Sequence, residues 1–555
     1  MLRELLYQGF FTLGAREVRS FQATAAQPFA GQDRLLIDIV SRNKDSLYGK
    51  DHRFASIKTF SDFQSAVPVN DYDSLKPYIM RSCDGEKNIL TCEDPFMFAT
   101  TSGTTGDRKF IPVTRAFIRE FRRASVVSGY NLFRQFPSVR QGVALSVFSP
   151  AEEGRTRGGI PYGAISGRLY HEEPKLIKRY ISPLPYEAFL IKDYESRYYT
   201  ILRSALALPI TVIYTLNPST ILMLGRKLKQ YAPQLIRDVR EGTINPPEKL
   251  PAFVIEALKP FLRPDAGRAR ELGKLFECGN FSAATVFHNL QMISCWTKAA
   301  AAFYLQDFEE HFGATPVTDI TYGASEGRGT VTVGPGMQAL AVRSHFFEFV
   351  EESAWEAGKR ETLLCTDLEE GKSYYILFTT SAGLYRYHIN DLVKVVGWYG
   401  RAPLIEFLHK GGNVSSFTGE KITESQTTEA IKAAMRELGM RVRFFTLIPR
   451  FRPEPHYELL VEIDGGEQKQ EPRGIAQAFD KALAKANIEY AAKRESQRLA
   501  EVEVRLLEDG AYERIRRKMV ESGVPDAQIK ISHLNPKDAV RAVIEEECLE
   551  HVVLR

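Results

Sequence analysis

"PITVIYTLNPSTILMLGRKL", Pro209–Leu228, reads as a buried strand, a turn, and a helix opening near Ser219. The same rhythm surrounds it. "GVALSVFSP", Gly142–Pro150, is a strand ending at a proline. "NLQMISCW", Asn289–Trp296, is another strand, Lys298–Phe312 reads as a helix, and "TPVTDITYGASEG", Thr315–Gly327, is a strand running into a loop. Strand, helix and strand at this spacing imply right-handed parallel crossovers, so the core is α/β.

Upstream, the first residues form an amphipathic helix, with Arg3, Glu4 and Arg16 among apolar neighbours, rather than a signal peptide. Residues 30–90 read as helices and loops. "PFMFA", Pro95–Ala99, and "KFIPV", Lys109–Val113, read as short strands, and Thr114 suits the N-cap of a helix over Arg115–Gln135. From Ala341 to Phe407 the texture is strand after strand: "HFFEFVE", "ETLLCTDL", "SYYILFTT", "LYRYHINDLVKVVGW" and "PLIEFLH", a mostly antiparallel region. "KGGNVSSFTGEK", Lys410–Lys421, reads as a hinge. Beyond it, helix Glu424–Leu438, strands "VRFFTLIPRF" and "HYELLVEID", helices Ile475–Ala486 and Glu489–Arg498, and strand "EVEVRLL" have the size of an α+β cap. The expected division is a large N-terminal domain over 1–412, with parallel and mixed sheets plus the antiparallel region, and a smaller mobile domain over 413–555.

The totals exclude several classes. Lys plus Arg is 73 against 69 for Asp plus Glu, a net charge of +4, too even for a nucleic-acid groove or an anionic membrane surface. No apolar run reaches the roughly 18 residues of a membrane span. Six cysteines without a CxxC pair suit reduced thiols and a cytoplasmic address. The ten histidines lack zinc-type spacing.

Three stretches carry chemistry. "FATTSGTTGDRKFIPVT", Phe98–Thr114, crowds hydroxyls, glycines and two cations. A Walker loop needs GxxxxGK[ST] between strand and helix. Here Gly103 and Gly106 are too close, Phe110 follows Lys109, and both flanks are strands, so a phosphotransferase reading fails. Glycine-exposed N–H groups with Thr100, Thr101, Ser102, Thr104 and Thr105 still suit a polyphosphate clasp, as they also suit a solvated hairpin turn. "TYGASEG", Thr321–Gly327, lies past the carboxyl end of a parallel strand, where open sheets place ligands. Tyr322 offers a flat face to a base and Glu326 a hard oxygen to Mg2+, or they are a core tyrosine and a surface glutamate. In "LYRYHINDLVKVVGW", Asp391 interrupts an apolar strand and suits a ribose diol, while Arg386 suits a phosphate or carboxylate; an Arg386–Asp391 structural pair is the alternative.

Taken in order, these motifs resemble the adenylate-forming superfamily, and more closely the Gretchen Hagen (auxin-responsive promoter) family of acyl acid amido synthetases. The matching text is "TTSGTTGDRKFIPVT", "TDITYGASEG", "LYRYHINDLVKVVGW", "TGEKITE", "NIEYAAKRES" and "QIKISHL", with "VPVNDYDSLKPYI" upstream, and it spans roughly residues 30–540. The resemblance implies a ligase that activates a small-molecule carboxylic acid with ATP and Mg2+ as an acyl-adenylate, then transfers it to an amine, an amino acid above all. Thr101, Ser102, Gly103, Thr104 and Thr105 would hold phosphates. Tyr322, Gly323 and Ser325 would border the adenine, Asp391 would bind ribose with Arg386 nearby, and Glu326 would bind Mg2+. Lys530, in "QIKISHL", would reach the α-phosphate. Transfer to coenzyme A and a non-catalytic nucleotide-binding homologue are the alternatives. Asn390 departs from the family's glycine before the ribose Asp, and Lys410 replaces the usual arginine.

Overall fold

The computed structural model describes residues 2–101, 109–411, 414–415, 420, 422–451, 454–464, 471–496, 499–524, 526, 529, 531–536 and 538–550. The chain divides into two compact units, one over Met1–Thr101 with Lys109–Phe407 and the other from Leu408 onward.

The first unit contains the expected parallel sheet. Strands Val143–Ser146, Ile210–Tyr214, Met292–Cys295 and Val317–Asp319 lie side by side in chain order, every pair parallel. Their β-branched and apolar residues fit a sheet covered on both faces; all of Met292–Cys295 is buried. After Tyr214 the chain turns into helix Pro218–Gln230, whose N-cap Asn217 accepts a bond from the Ser219 amide at 3.0 Å, with proline in the first turn. Helix Arg115–Gln135 likewise starts at Thr114, whose hydroxyl accepts from the Phe117 amide.

A second, antiparallel sheet has six strands in the order Thr330–Gly334, Met337–Leu340, Ala402–Lys410, Tyr387–Tyr399, Ser373–Thr379, Phe346–Glu351. A third places Lys109–Val113 antiparallel to Met97–Thr101, with the short strands Pro161–Gly163 and Gly154–Arg155 beside them. Gly154–Arg155 and Pro161–Gly163 thus add a hairpin to this sheet. One apolar core joins the antiparallel sheet to the N-terminal helices through residues such as Phe21, Leu36, Phe63, Phe347 and Ile376.

Two local expectations fail. Lys298–Phe312 is not one helix: Ala299–Asp307 winds as a 3-10 helix before α-helix Phe308–Phe312, and Lys298 supplies no side-chain cap, its ammonium pairing instead with Glu406 at 2.9 Å. Glu361–Leu368 is not a strand. Only Leu363 bridges to Phe349, and the Asp367 carboxylate accepts from the Leu364 amide, folding the segment into a turn.

The second unit has strands Val442–Arg450 and His456–Ile463 antiparallel, with Glu503–Leu507 parallel to the latter. Helix Glu424–Leu438 opens with a capping box between Thr423 and Gln426 and closes on Gly439 at φ 64°, a left-handed position that suits glycine.

Candidate active site

Tyr322 leaves the last parallel strand at its carboxyl end. Strands Gly323–Ala324 and Gly327–Arg328 form a hairpin with Ser325 and Glu326 in its two-residue turn. The neighbouring backbone clamps Tyr322: its amide donates to the Thr330 hydroxyl at 2.9 Å, and its carbonyl accepts from the Gly329 and Thr330 amides. Gly329 has to be glycine, because a Cβ there would lie 2.2 Å from the tyrosine ring. The ring stacks on Phe407 with centroids 5.5 Å apart and planes at 8°. One face of Tyr322 is therefore taken, a point the sequence concealed because Phe407 read as an ordinary strand residue.

The phenol of Tyr322 donates to Asp391 Oδ2 at 2.7 Å. Burial, then the Asp391 charge, hold that phenol well above its ordinary range, so it stays a proton donor. Asp391 reaches this position through a β-bulge. Tyr375 pairs with Leu392 and Leu377 with His388, so Ile389–Asp391 together face a single residue of the partner strand. Asn390 stands at φ 61°. That left-handed conformation explains the residue: glycine adopts it freely, and asparagine is among the few others that tolerate it. The departure from the family's glycine keeps the bulge and the aim of Asp391.

Glu326 is only 8% exposed although it sits at a hairpin tip. Its charge reaches the Tyr322 phenol and that of Tyr387, whose own proton is held mainly by burial and next by Glu326. Two tyrosines and two carboxylates from distant parts of the chain thus share one locality. Beside Glu326, Arg328 is also buried. Its guanidinium donates to the hydroxyls of Thr321 and, at 3.0 Å, Ser125; it pairs with the Tyr214 phenol and lies 4.5 Å over the Phe121 ring. No sequence motif singled out Arg328; a basic residue two past the Glu is uninformative until its burial is known.

Arg386 requires a correction. The motif places it before a phosphate or carboxylate, or in a pair with Asp391. Instead it is buried against Glu348, with Nε at 3.1 Å from one carboxylate oxygen and a terminal nitrogen at 3.0 Å from the same oxygen. Its other donors reach the carbonyls of Gln64 and Val67 and the hydroxyl of Thr362. All five N–H groups find partners within the protein, so the residue holds the fold together.

At the other stretch, Thr101 ends the strand Met97–Thr101 and pairs with Lys109 across the hairpin. Lys109 places its ammonium 5.1 Å over the Tyr72 ring, and the Thr100 hydroxyl donates to Glu153 at 3.2 Å. Ser102, Gly103, Thr104, Thr105 and Lys530 lie outside the described residues.

With this geometry in place, the comparisons are informative. The model of the GH3 family N-terminal domain matches residues 17–317, that of the GH3 family central domain 338–410, and that of the GH3 family C-terminal domain 425–538. The chain is 26% identical over 532 residues to the indole-3-acetic acid-amido synthetase GH3.3 of Arabidopsis thaliana, covering 90% of this chain and 88% of the relative. It is 25% identical over 502 residues to the jasmonoyl–L-amino acid synthetase JAR6 of Nicotiana attenuata, covering 86% of each. Its fold superposes on the GH3.15 acyl acid amido synthetase with a TM-score of 0.85 at 19% identity, over 96% of this chain and 95% of that one. The family models and relatives define a class of ligases whose family implies the use of ATP. Within that class, the chain belongs to the GH3 family and is a ligase of the acyl acid amido synthetase type. Among the described residues, no helix is long and apolar enough to cross a membrane.

Proposed function

We propose that this ligase binds ATP with the adenosine against Tyr322 and Asp391, joins a small carboxylic acid to the α-phosphate, and passes the acyl group to an amino acid. The observation that carries the reading is the 2.7 Å bond from Tyr322 to Asp391 beside buried Glu326. It supports a nucleoside seat in which an aromatic ring meets the base and a carboxylate meets the ribose hydroxyls. The names of the relatives, one for indole-3-acetic acid and one for jasmonoyl conjugation, support an acyl acid and an amino acid as the two substrates.

In the first step the acid's carboxylate attacks the α-phosphorus and pyrophosphate leaves. The barrier is the approach of an anion to a polyanion. Glu326, a buried hard oxygen at the site's rim, suits Mg2+, which when bound would offset that charge. Thr101, Ser102, Gly103, Thr104 and Thr105 would position the phosphates, and Lys530 would contact the α-phosphate. A neutral amine then attacks the acyl carbon, AMP departs, and the proton passes to a base or water. The unit from Leu408 onward would act as the cap that carries Lys530. Six free cysteines, four of them buried, suit a cytoplasmic address.

Carboxylate-dependent ATP–pyrophosphate exchange over a panel of acids, followed by product mass after adding amino acids, tests the reading. Exchange with an acid and an amide product are expected. ATP binding without exchange for any acid would overturn it. Lys530→Ala should slow adenylation far more than it weakens ATP binding, and equal losses would remove its assigned role.

A further inference from the structure

The face of the parallel sheet beside the nucleoside seat carries a row of hydroxyls. Ser146 pairs with Tyr214, Tyr214 with Ser294, and Ser294 with Thr318, so these four side chains project from the same face, strand by strand. The Tyr214 phenol contacts Arg328. Three things about this row are unusual. Ser294 is 1% exposed and its hydroxyl has no hydrogen-bond partner. Arg328 is 8% exposed and its Nε–H, too, has no partner. The groups Arg328 does touch, Thr321, Ser125, Tyr214 and Phe121, are all neutral. His345, whose Nε2 accepts from the Arg328 amide, is neutral as well, since burial and the nearby guanidinium push it down to about 3.

A guanidinium cannot shed its proton at any ordinary pH, and burying one without an anion is costly. Two other arginines are buried in this unit, and each has an anion at hand: Arg386 pairs with Glu348, and Arg203, whose donors reach the carbonyls of Thr243, Phe261 and Asp238, feels the Asp238 charge. At Arg328 the anion has to come from outside. The site lies past the carboxyl ends of parallel strands, two residues from Glu326, so the acyl acid is the molecule that arrives there. Its reacting carboxylate is a poor partner. Adenylation turns that group into a neutral mixed anhydride, and the cation would lose its counter-charge midway through the reaction. A charge on another part of the acid persists through both steps.

We infer that Arg328 is a specificity-determining residue that binds a second carboxylate, remote from the reacting one, with the Ser294 hydroxyl as an additional donor. The substrate class is a dicarboxylic acid. This rests on the functional reading above and adds the acid's chemistry to it.

The test uses matched acids on the full-length enzyme: adipate against hexanoate, and terephthalate against 4-methylbenzoate, by calorimetric binding and by ATP–pyrophosphate exchange. In the wild type, at least one diacid should bind about tenfold or more tightly than its methyl-ended partner, the worth of a charge-assisted hydrogen bond. Arg328→Met should reduce that preference to near unity, with the loss in KM and ATP affinity retained; Arg328→Lys should keep part of it, and Ser294→Ala should lower it by a few-fold. If neither diacid outbinds its partner, or if folded Arg328→Met keeps the preference, the inference is overturned. Should Arg328→Met not fold, the wild-type pairs and Ser294→Ala decide. Diacid binding without exchange would sink the ligase reading alone, and exchange with monoacids only would sink the diacid inference alone.

Discussion

Arg386 and Arg328 are alike in sequence terms and in burial, and they do opposite things. Arg386 spends every donor inside the protein, on a carboxylate, two carbonyls and a hydroxyl. Arg328 meets only neutral groups and leaves Nε–H unmet. Complete hydrogen-bond accounting marks a residue that stabilises the native state; an unclosed account in a buried group calls for an explanation, and at Arg328 the one proposed is a ligand. The motif pointed to Arg386 as the ligand-facing residue, and the proposal moves that role to Arg328.

Four substitutions break or sharpen this contrast. The largest effect is expected from Arg386→Met, which strands the Glu348 carboxylate in the core and should cost about 3–5 kcal/mol in chemical denaturation, as for other broken buried pairs. A loss under about 1 kcal/mol would erase the distinction between the two arginines.

Next is Glu120, which accepts from the Ser381 hydroxyl at 2.7 Å and sits 3.6 Å from the ring of His345, the histidine beside Arg328. Burial pushes its carboxyl up to about 7, with only partial relief from Ser381 and surrounding arginines. A carboxyl raised in the folded state holds its proton there while the unfolded chain gives it up. The stability it contributes is whole below the unfolded value of about 4.5 and is lost as pH rises toward 7, by about 2–3 kcal/mol. Glu120→Gln should flatten this part of the stability–pH curve; an unchanged slope between pH 5 and 7 would remove Glu120 as its source.

A smaller effect follows from Tyr322→Phe, which deletes the bond to Asp391 while leaving the ring on Phe407. ATP affinity should fall by about 1 kcal/mol, roughly fivefold, by direct nucleotide titration. No change would mean that Tyr322 serves the seat through its ring alone. The smallest is the effect of Arg328→Met on stability. Removing a cation without a counter-charge should shift the denaturation free energy by no more than about 1 kcal/mol in either direction. A loss as large as that of Arg386→Met would make Arg328 structural too.

Much of the fold was legible. The strands of the parallel sheet, the N-cap at Thr114 and helix Glu424–Leu438 were each announced by apolar runs and capping chemistry, which are local properties. What misled was also local. Glu361–Leu368 has a strand's composition, but an Asp367-to-backbone bond turns it aside, and the alanines after Lys298 promised an α-helix that starts as a 3-10 helix. In the candidate site, motif order pointed to Tyr322, Glu326 and Asp391, which the structure brings together, and gave no sign of their neighbours Phe407, Gly329 and Arg328.

The sequence by itself determined the α/β alternation and the antiparallel insert, and carried the motifs that resemble a family of ligases, because periodicity and short motifs act over a few neighbouring residues. Tertiary structure alone decided that Tyr322 bonds to Asp391 across 69 positions, that Asn390 supports a bulge, and that Arg386 is satisfied while Arg328 is not. Burial and hydrogen-bond satisfaction depend on segments far apart in the chain, and no local pattern records which distant carboxylate, if any, will meet a buried charge.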